Sequence, residues 1–487
     1  KILFRRRKLS KRVERKLQSF TFIPQYVGVN ALPMRLLFFI FLFNFSLTAF
    51  GQQKMPIERI EITGNTKTKY YIILRELSFV KGDSLNAQQL GAAMIQGKQL
   101  LMNTQLFVDV KIDTLTYQEQ WQIRVQVKER WYLLPLPYFR LVDRNFNQWW
   151  VDQNRSLDRV NYGVKFIQNN VSGRNDNLNV WLITGYNRQF SARYTIPFID
   201  KKLTKGFSIG FLHATQKELN VATINNKQVF LRHSADARKT WRMDASYSYR
   251  PDQFKRTTIR FSYFNETIAD TILKVQKNYY PGQTTIQKAL DVSYRYQYIK
   301  VSNIIYPTAG YYTDLFFLKR FATKAQSLFQ LSARQLYAKK LSTKSFLLFD
   351  ATAAYKSPID SVFSNSRLIG YGGMQLRGLE YYVVDGTAGI VSRNAFHFNV
   401  KNWTLTNPLP IKNHEKIPIR LYFKIFADAG YAYHKYASLS NSLSNTLLYT
   451  YGAGIDLVSI YDFVFRVEYS RNQLGREGLY LQGEFNF

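Results

Sequence analysis

From Arg159 to the C-terminus, the chain is built of runs in which apolar and polar side chains alternate one by one. Trp241, Met243, Ala245, Tyr247 and Tyr249 interleave with Arg242, Asp244, Ser246, Ser248 and Arg250. Leu290, Val292, Tyr294, Tyr296 and Tyr298 interleave with Asp291, Ser293, Arg295, Gln297 and Ile299, and Tyr461–Ser470 repeats the pattern. A period of two sends successive side chains to opposite faces of a strand, whereas a helix needs apolar residues three and four apart. The runs are about nine to twelve residues long, the length a tilted strand needs to cross a bilayer. Sixteen of them can be placed, from 159–168 through 226–235 to 479–487, an even number as closure of an antiparallel barrel normally requires.

Composition supports this reading over a soluble sandwich. The chain holds 34 Tyr and 37 Phe, yet its mean hydropathy is −0.27, so its apolar residues must be hidden singly rather than in long helices. Sandwich strands are mostly shorter and less aromatic on their apolar side. The formal charge of +34 first points to nucleic acid. Residues 1–51 carry ten basic side chains against Glu14, however, and the +25 left for residues 52–487 is dispersed rather than clustered. A polar lumen and basic loops facing anionic lipid headgroups account for it better. There is no Cys, so disulfides and thiolate metal sites are excluded.

One apolar run exists, Leu36-Leu37-Phe38-Phe39-Ile40-Phe41-Leu42-Phe43, after Met34-Arg35 and before Ala49-Phe50-Gly51. It falls short of the ~20 residues a spanning helix requires. A basic flank, a short apolar core and a small-x-small ending read as a secretory signal within a presequence at 1–51, cleaved before Gln52. N-terminal sequencing of the membrane-extracted protein is expected to begin at Gln52; a retained 34–51 segment would refute the signal.

Residues 52–131 read as a separate β-α-α-β-β domain, followed by a linker at 132–158 and a barrel at 159–487. Ile57–Ile62 alternates and stops at Gly64-Asn65, a helix covers Thr66–Leu77, and a second starts at Asn86 as N-cap. Strands follow at Leu106–Val110 and Trp121–Val127. The ordered set Ile60-x-Ile62-x-Gly64-Asn65, Arg75-Glu76-Leu77, Gly82-Asp83, Leu106-Phe107-x-Asp109-Val110 and Val127-Lys128-Glu129-Arg130 resembles a single POTRA domain. The resemblance implies handling of extended polypeptides by strand addition to the domain's sheet edge, the alternative being a plug or spacer.

The barrel carries two further motifs. Gly370-Tyr371-Gly372-Gly373-Met374-Gln375-Leu376-Arg377-Gly378 and Phe426-Ala427-Asp428-Ala429-Gly430 resemble, in this order, the Arg-Gly loop and the Phe-x-Asp-x-Gly strand of the BamA/TamA-type outer-membrane protein assembly superfamily. The resemblance implies a loop folded into the lumen and anchored by Arg377 and Gly378 on Asp428 and Gly430. Where the family tends to place a Glu, this chain has Lys401-Asn402. It also implies a lateral seam between the first and last strands, here Tyr162 and Gly163 against Gly483, Phe485 and Phe487.

The expected fold is therefore an all-β transmembrane barrel of sixteen antiparallel strands, preceded by one small α+β POTRA domain. The expected function is insertion or translocation of polypeptides at the outer membrane of a Gram-negative bacterium, with the POTRA domain in the periplasm and without cofactor, metal or enzymatic chemistry. Partners would be unfolded outer-membrane or secreted polypeptides, outer-membrane lipids and accessory lipoproteins, not nucleic acid. Two alternatives stay open: a secretion pore for one dedicated partner, and a barrel lipid hydrolase. Gly206-Phe207-Ser208-Ile209-Gly210 fits the hydrolase pattern G-x-S-x-G but falls inside an expected strand, whereas that motif needs a strand-turn-helix setting.

Overall fold

The computed structural model describes residues 53–141, 154–322, 327–360, 362–407, 415–459 and 463–484. The expected presequence and its signal lie outside the described residues.

The first domain runs β1 (Met55–Thr63), α1 (Tyr70–Glu76), β2 (Ser84–Leu85), α2 (Ala87–Asn103), β3 (Phe107–Tyr117) and β4 (Gln120–Glu129). Its sheet has the order β2-β1-β4-β3, with β1 parallel to β4 and the other pairs antiparallel. The two-residue β2 was beyond the reach of a periodicity argument. The helix start at Asn86 is a reciprocal capping box: Asn86 Oδ1 accepts from the Gln89 N–H at 2.8 Å, and Gln89 Oε1 from the Asn86 N–H at 3.1 Å. Both helices bury their apolar stripes on one sheet face, where Ile57, Ile73, Leu101, Phe107, Val110 and Val125 form the core. Gly64 sits at φ +86° with the Val127 carbonyl 2.1 Å from where a Cβ would stand, so only glycine ends β1 this way.

The domain is closed at its base by Glu129. This buried carboxylate accepts from Thr66 Oγ1 at 2.5 Å, from the Thr68 N–H at 2.6 Å and from the Lys67 N–H at 3.0 Å. Burial by itself would raise the carboxyl; the hydrogen bonds from Thr66, Thr68 and Lys67 outweigh it and hold Glu129 below its ordinary value. A lowered folded-state pKa means that the stabilisation is fully present above the unfolded value and is lost as pH falls through the folded one. Glu129→Gln is expected to weaken protection of the amides of β1 and β4 by about 1.5–3 kcal/mol at neutral pH. Hydrogen exchange on the intact protein would show this, with the difference from wild type shrinking in acid.

The second architecture is a single sheet of sixteen strands. It begins with β5 (Leu133–Leu141), β6 (Val160–Gln168), β7 (Asn177–Gly185), β8 (Arg188–Ile196) and β9 (Lys205–Gln216). The chain then leaves the sheet for a hairpin, β10 (Glu218–Ile224) and β11 (Lys227–Arg232), before rejoining it. Next come β12 (Arg238–Tyr249), β13 (Lys255–Ile268), β14 (Ile286–Val301), β15 (Gly310–Phe321), β16 (Leu328–Lys340) and β17 (Ser345–Ser357). A second excursion holds β18 (Arg367–Ile369) and β19 (Val384–Asp385). The sheet ends with β20 (Ala388–Thr406), β21 (Lys416–Tyr433), β22 (Leu447–Val458), β23 (Val464–Asn472) and β24 (Glu477–Glu484).

The strand number matches expectation, but two members do not. The run at 226–235 is not a barrel strand: Asn225 and Asn226, at φ +52° and +60°, turn it back on β10 as a hairpin outside the sheet. In its place, residues 133–141 of the expected linker form β5, paired along its length with β6. Pro135 and Pro137 hid this strand, because proline argues against a strand except at an edge, and β5 is an edge.

The alternation sorts the two faces as anticipated. On β12, Met243, Tyr247 and Tyr249 are exposed outward, while Asp244 and Ser246 are buried inward. Charge in the lumen is largely paired across strands: Asp244 takes Arg193 and Arg260, Asp291 takes Arg320, Asp314 takes Arg295, and Asp350 takes both Arg334 and Arg393.

The POTRA domain and the barrel form one compact unit. Turns at one barrel end receive the domain. Lys69 N–H donates to the Gly173 carbonyl at 2.9 Å, and Asn170 Nδ2 to Thr68 Oγ1 at 3.0 Å. Arg75 Nε donates to the Leu203 carbonyl at 2.7 Å. Arg250 grips the buried Glu76 carboxylate with both terminal nitrogens at 2.7 Å, and Gln253 Nε2 donates to the carbonyls of Arg75 and Leu77. Asn103, at the end of α2, binds the Val301 carbonyl and the Ile304 N–H. The longer excursions, at 217–237, 269–285, 358–387 and 434–446, leave from the opposite end.

Candidate functional site: the lumen loop and the strand edges

The segment between β17 and β20 enters the barrel, where Leu368, Met374, Leu376 and Leu379 pack on Val391, Ala432 and Leu448 of the wall. Arg377 meets Asp428 of β21. Its Nε donates to Oδ2 at 2.8 Å and its Nη2 to Oδ1 at 2.5 Å, while Nη2 also reaches the Asn394 carbonyl at 3.3 Å. Such two-pronged pairing is the arrangement a planar guanidinium is suited to. The Asp428 side chain is fully buried, and its Oδ1 also accepts from the Asn394 N–H at 3.1 Å.

Each fixed position of the Phe-x-Asp-x-Gly strand touches this loop. The Arg377 guanidinium lies 4.0 Å from the Phe426 ring centroid, a cation–π contact. Gly430 leaves room for Leu376, whose Cδ1 would stand 2.9 Å from an added Cβ. Gly378, at φ +77°, presses against Ser470 and accepts from Asn472 Nδ2 at 2.8 Å. Beyond it, Glu380 accepts from Gln482 Nε2 at 3.4 Å, and the Tyr381 ring packs 5.8 Å from that of Tyr480. The loop therefore reaches from the β20–β21 wall to the last strand.

A neighbouring cluster escaped the sequence reading. Lys424 of β21 is buried between Asp456 of β22, at 2.6 Å, and Glu468 of β23, at 2.5 Å. Asp456 also accepts from the Tyr306 hydroxyl at 2.9 Å, and that hydroxyl lies 3.0 Å from His397 Nδ1. Tyr306 belongs to the same 302–309 turn that binds Asn103 of the POTRA domain. Only the alternation of β21–β23, which turns Lys424, Asp456 and Glu468 inward together, could have signalled it. Lys401 and Asn402 lie beyond an irregularity in β20 at Asn399/Lys401 and take no part in the anchor.

The sheet's two ends are β5 and β24, and among the described residues no backbone pairing joins them. The strand expected to be first in the barrel is thus not a sheet end, because β5 precedes it. Tyr162 and Gly163 lie on β6, paired on both sides, and Gly163 serves a close approach to β7: an added Cβ would stand 2.0 Å from the Leu182 carbonyl. Gly483 lies on β24 opposite Phe465. Phe485 and Phe487 fall outside the described residues. Ser208 sits within β9, 2.9 Å from Ser246 Oγ and 3.4 Å from Arg193 Nη1, with no strand-turn-helix elbow.

Comparison with known proteins accords with this geometry. Residues 55–130 match the model of the surface antigen variable number repeat, POTRA, and residues 170–467 match the Omp85 superfamily domain. No curated protein sequence matches the chain. Among solved structures, the chain is similar to BamA from Haemophilus ducreyi lacking POTRA domains 1–3, at 14% identity over 88% of this chain and 84% of that one, with a TM-score of 0.48. It is also similar to CdiB from Escherichia coli, at 11% identity over 90% and 91% of the two chains and a TM-score of 0.49. CdiB from Acinetobacter baumannii matches at 14% identity over 88% and 73%, with a TM-score of 0.46. With its family match spanning most of the barrel, and a POTRA match directly before it, this chain belongs to the Omp85 superfamily of outer-membrane β-barrels.

Proposed function

We propose that the protein inserts or translocates polypeptides at the outer membrane without chemistry of its own, receiving them at the POTRA domain in the periplasm and passing them along the seam between β5 and β24. The observation that carries this reading is that the described sheet has two strand edges with no pairing between them. An unpaired edge is a template for another strand. The short turns beside the POTRA domain and the longer excursions at the far end agree with the usual orientation of such barrels. Unfolded outer-membrane or secreted chains are the substrates, with outer-membrane lipids, and accessory lipoproteins where present, as partners.

Secretion of one dedicated partner through the lumen is the second reading. The loop anchored at Asp428 stands against it, since that loop would have to leave the lumen first. Depletion of the protein followed by a survey of the outer-membrane proteome separates the two. Insertion predicts a fall in several barrel proteins together; loss of a single secreted protein, with the barrels unchanged, would overturn it.

A further inference from the structure

The hydrogen-bond phase of the two sheet ends can be read from single bonds. Asn169 N–H donates to the Tyr132 carbonyl at 2.7 Å, and the register Leu133↔Gln168 makes these two residues opposite partners. In an antiparallel pair, bonded and non-bonded positions alternate. Even-numbered residues of β5 therefore aim their backbone groups at β6, and Leu133, Pro135, Pro137, Phe139 and Leu141 aim theirs at the open edge. The same reasoning applies to β24: Asn472 N–H donates to the Arg476 carbonyl at 3.0 Å, next to the pair Arg471↔Glu477. Even residues of β24 bind β23, and Glu477, Leu479, Leu481 and Gly483 face the edge.

The two edges are not equivalent. β24 offers an N–H and a carbonyl at every edge-facing position, whereas Pro135 and Pro137 have no N–H. From the donor at Leu133 to the next at Phe139 the β5 edge runs for roughly 20 Å with carbonyls alone. This stretch starts where β5 leaves the POTRA domain. A strand laid against it can donate to the proline carbonyls, but its own carbonyls opposite them stay unpaired, which is costly where water is scarce.

We propose that Pro135 and Pro137 are the residues that keep the β5–β24 seam from zipping at its POTRA end. They make that half of the β5 edge acceptor-only, so that β5 and β24 part there first and an incoming extended polypeptide enters onto the β24 edge, which keeps a donor and an acceptor at each edge-facing position. The inference rests on the lateral-seam reading of the barrel and adds where the seam opens and which residues set it.

The test uses the full-length protein in detergent and in liposomes, with Pro135→Val, Pro137→Val, the double variant and Phe139→Pro. The last removes one more edge-facing donor and should act in the opposite direction. The first measurement is the rate at which the folded band converts to the unfolded band on heating in SDS. Two restored bonds should slow conversion about 5- to 150-fold in the double variant, each single variant should fall between, and Phe139→Pro should be faster than wild type. Should the valine variants fail to give a folded band, the sign of the Phe139→Pro effect decides the matter. Unchanged rates throughout, or faster conversion in the valine variants, overturn the proposal. The second measurement is insertion of an unfolded barrel protein into the liposomes. Slower conversion with slower insertion supports both the proline role and the seam route. Slower conversion with insertion unchanged leaves the prolines in control of the seam and refutes instead the reading that clients pass through it.

Discussion

Arg377→Ala and Asp428→Ala are each expected to release the lumen loop and abolish most assembly activity, with the double variant little worse than either. Removing one partner leaves a charge in a site with almost no solvent: the Asp428 side chain is fully buried and that of Arg377 is 14% exposed. Breaking a buried pair on one side costs about 3–5 kcal/mol, far more than an exposed bridge is worth. The two single variants differ in what they strand. Without the Arg377 side chain, the fully buried Asp428 keeps two backbone donors, the Asn394 N–H at 3.1 Å and the N–H of residue 377 at 3.4 Å, but no counter-charge; without Asp428, the partly exposed Arg377 keeps the Asn394 carbonyl and the Phe426 ring. Loss of Asp428 should therefore be the milder of the two. A double-mutant cycle on SDS-unfolding rate and on client insertion measures the coupling. Additive effects would mean that the pair contributes nothing jointly, and the loop would then have to be held by Leu376, Leu379 and Gly378.

A disulfide across the sheet ends is the second large effect. Leu136 and Tyr138 of β5, and Tyr480 and Gln482 of β24, share the even phase that turns away from edge hydrogen bonding. If the ends meet, these become the closer, non-bonded positions, with Cα atoms about 4.5 Å apart, within the range a disulfide accepts. The chain has no native Cys, so every cross-link is interpretable. Cysteine pairs drawn from these four positions are expected to form a disulfide in at least one register and to reduce client insertion to background, with recovery on reduction. A pair locked in high yield with insertion at the unlocked rate would rule out lateral passage and favour transport through the lumen.

Much of the barrel was legible because its strands are simple in the one respect that sequence displays, their period of two. The anchor was legible through the resemblance of the Arg-Gly loop and the Phe-x-Asp-x-Gly strand to a known pair of motifs, and Phe426, Asp428 and Gly430 each meet the loop through a different property, an aromatic face, a charge and a missing Cβ. What stayed hidden depends on neighbours. Residues 226–235 alternate as a barrel strand does, and only the Asn225-Asn226 turn and pairing with β10 take them out of the sheet. β5 was obscured by its prolines, a penalty that vanishes once a strand has a free side. The Lys424–Asp456–Glu468 cluster spans three strands, so no local pattern contains it.

The grip of Arg250 on Glu76 has a bearing on affinity. Besides the two bonds from Arg250, the buried Glu76 carboxylate has Arg75 beside it at 3.0 Å, all at the junction of α1 with the barrel rim. Lifting the domain away exposes these charges to new partners or leaves them unmatched, so docked and lifted forms differ in free energy. A preference of ~2.8 kcal/mol for docking would leave about one molecule in a hundred lifted. A polypeptide that can reach its POTRA site only in the lifted form would then bind about a hundredfold more weakly than the site itself allows. For such a polypeptide, Glu76→Gln, by loosening the grip, is expected to tighten binding to the intact protein.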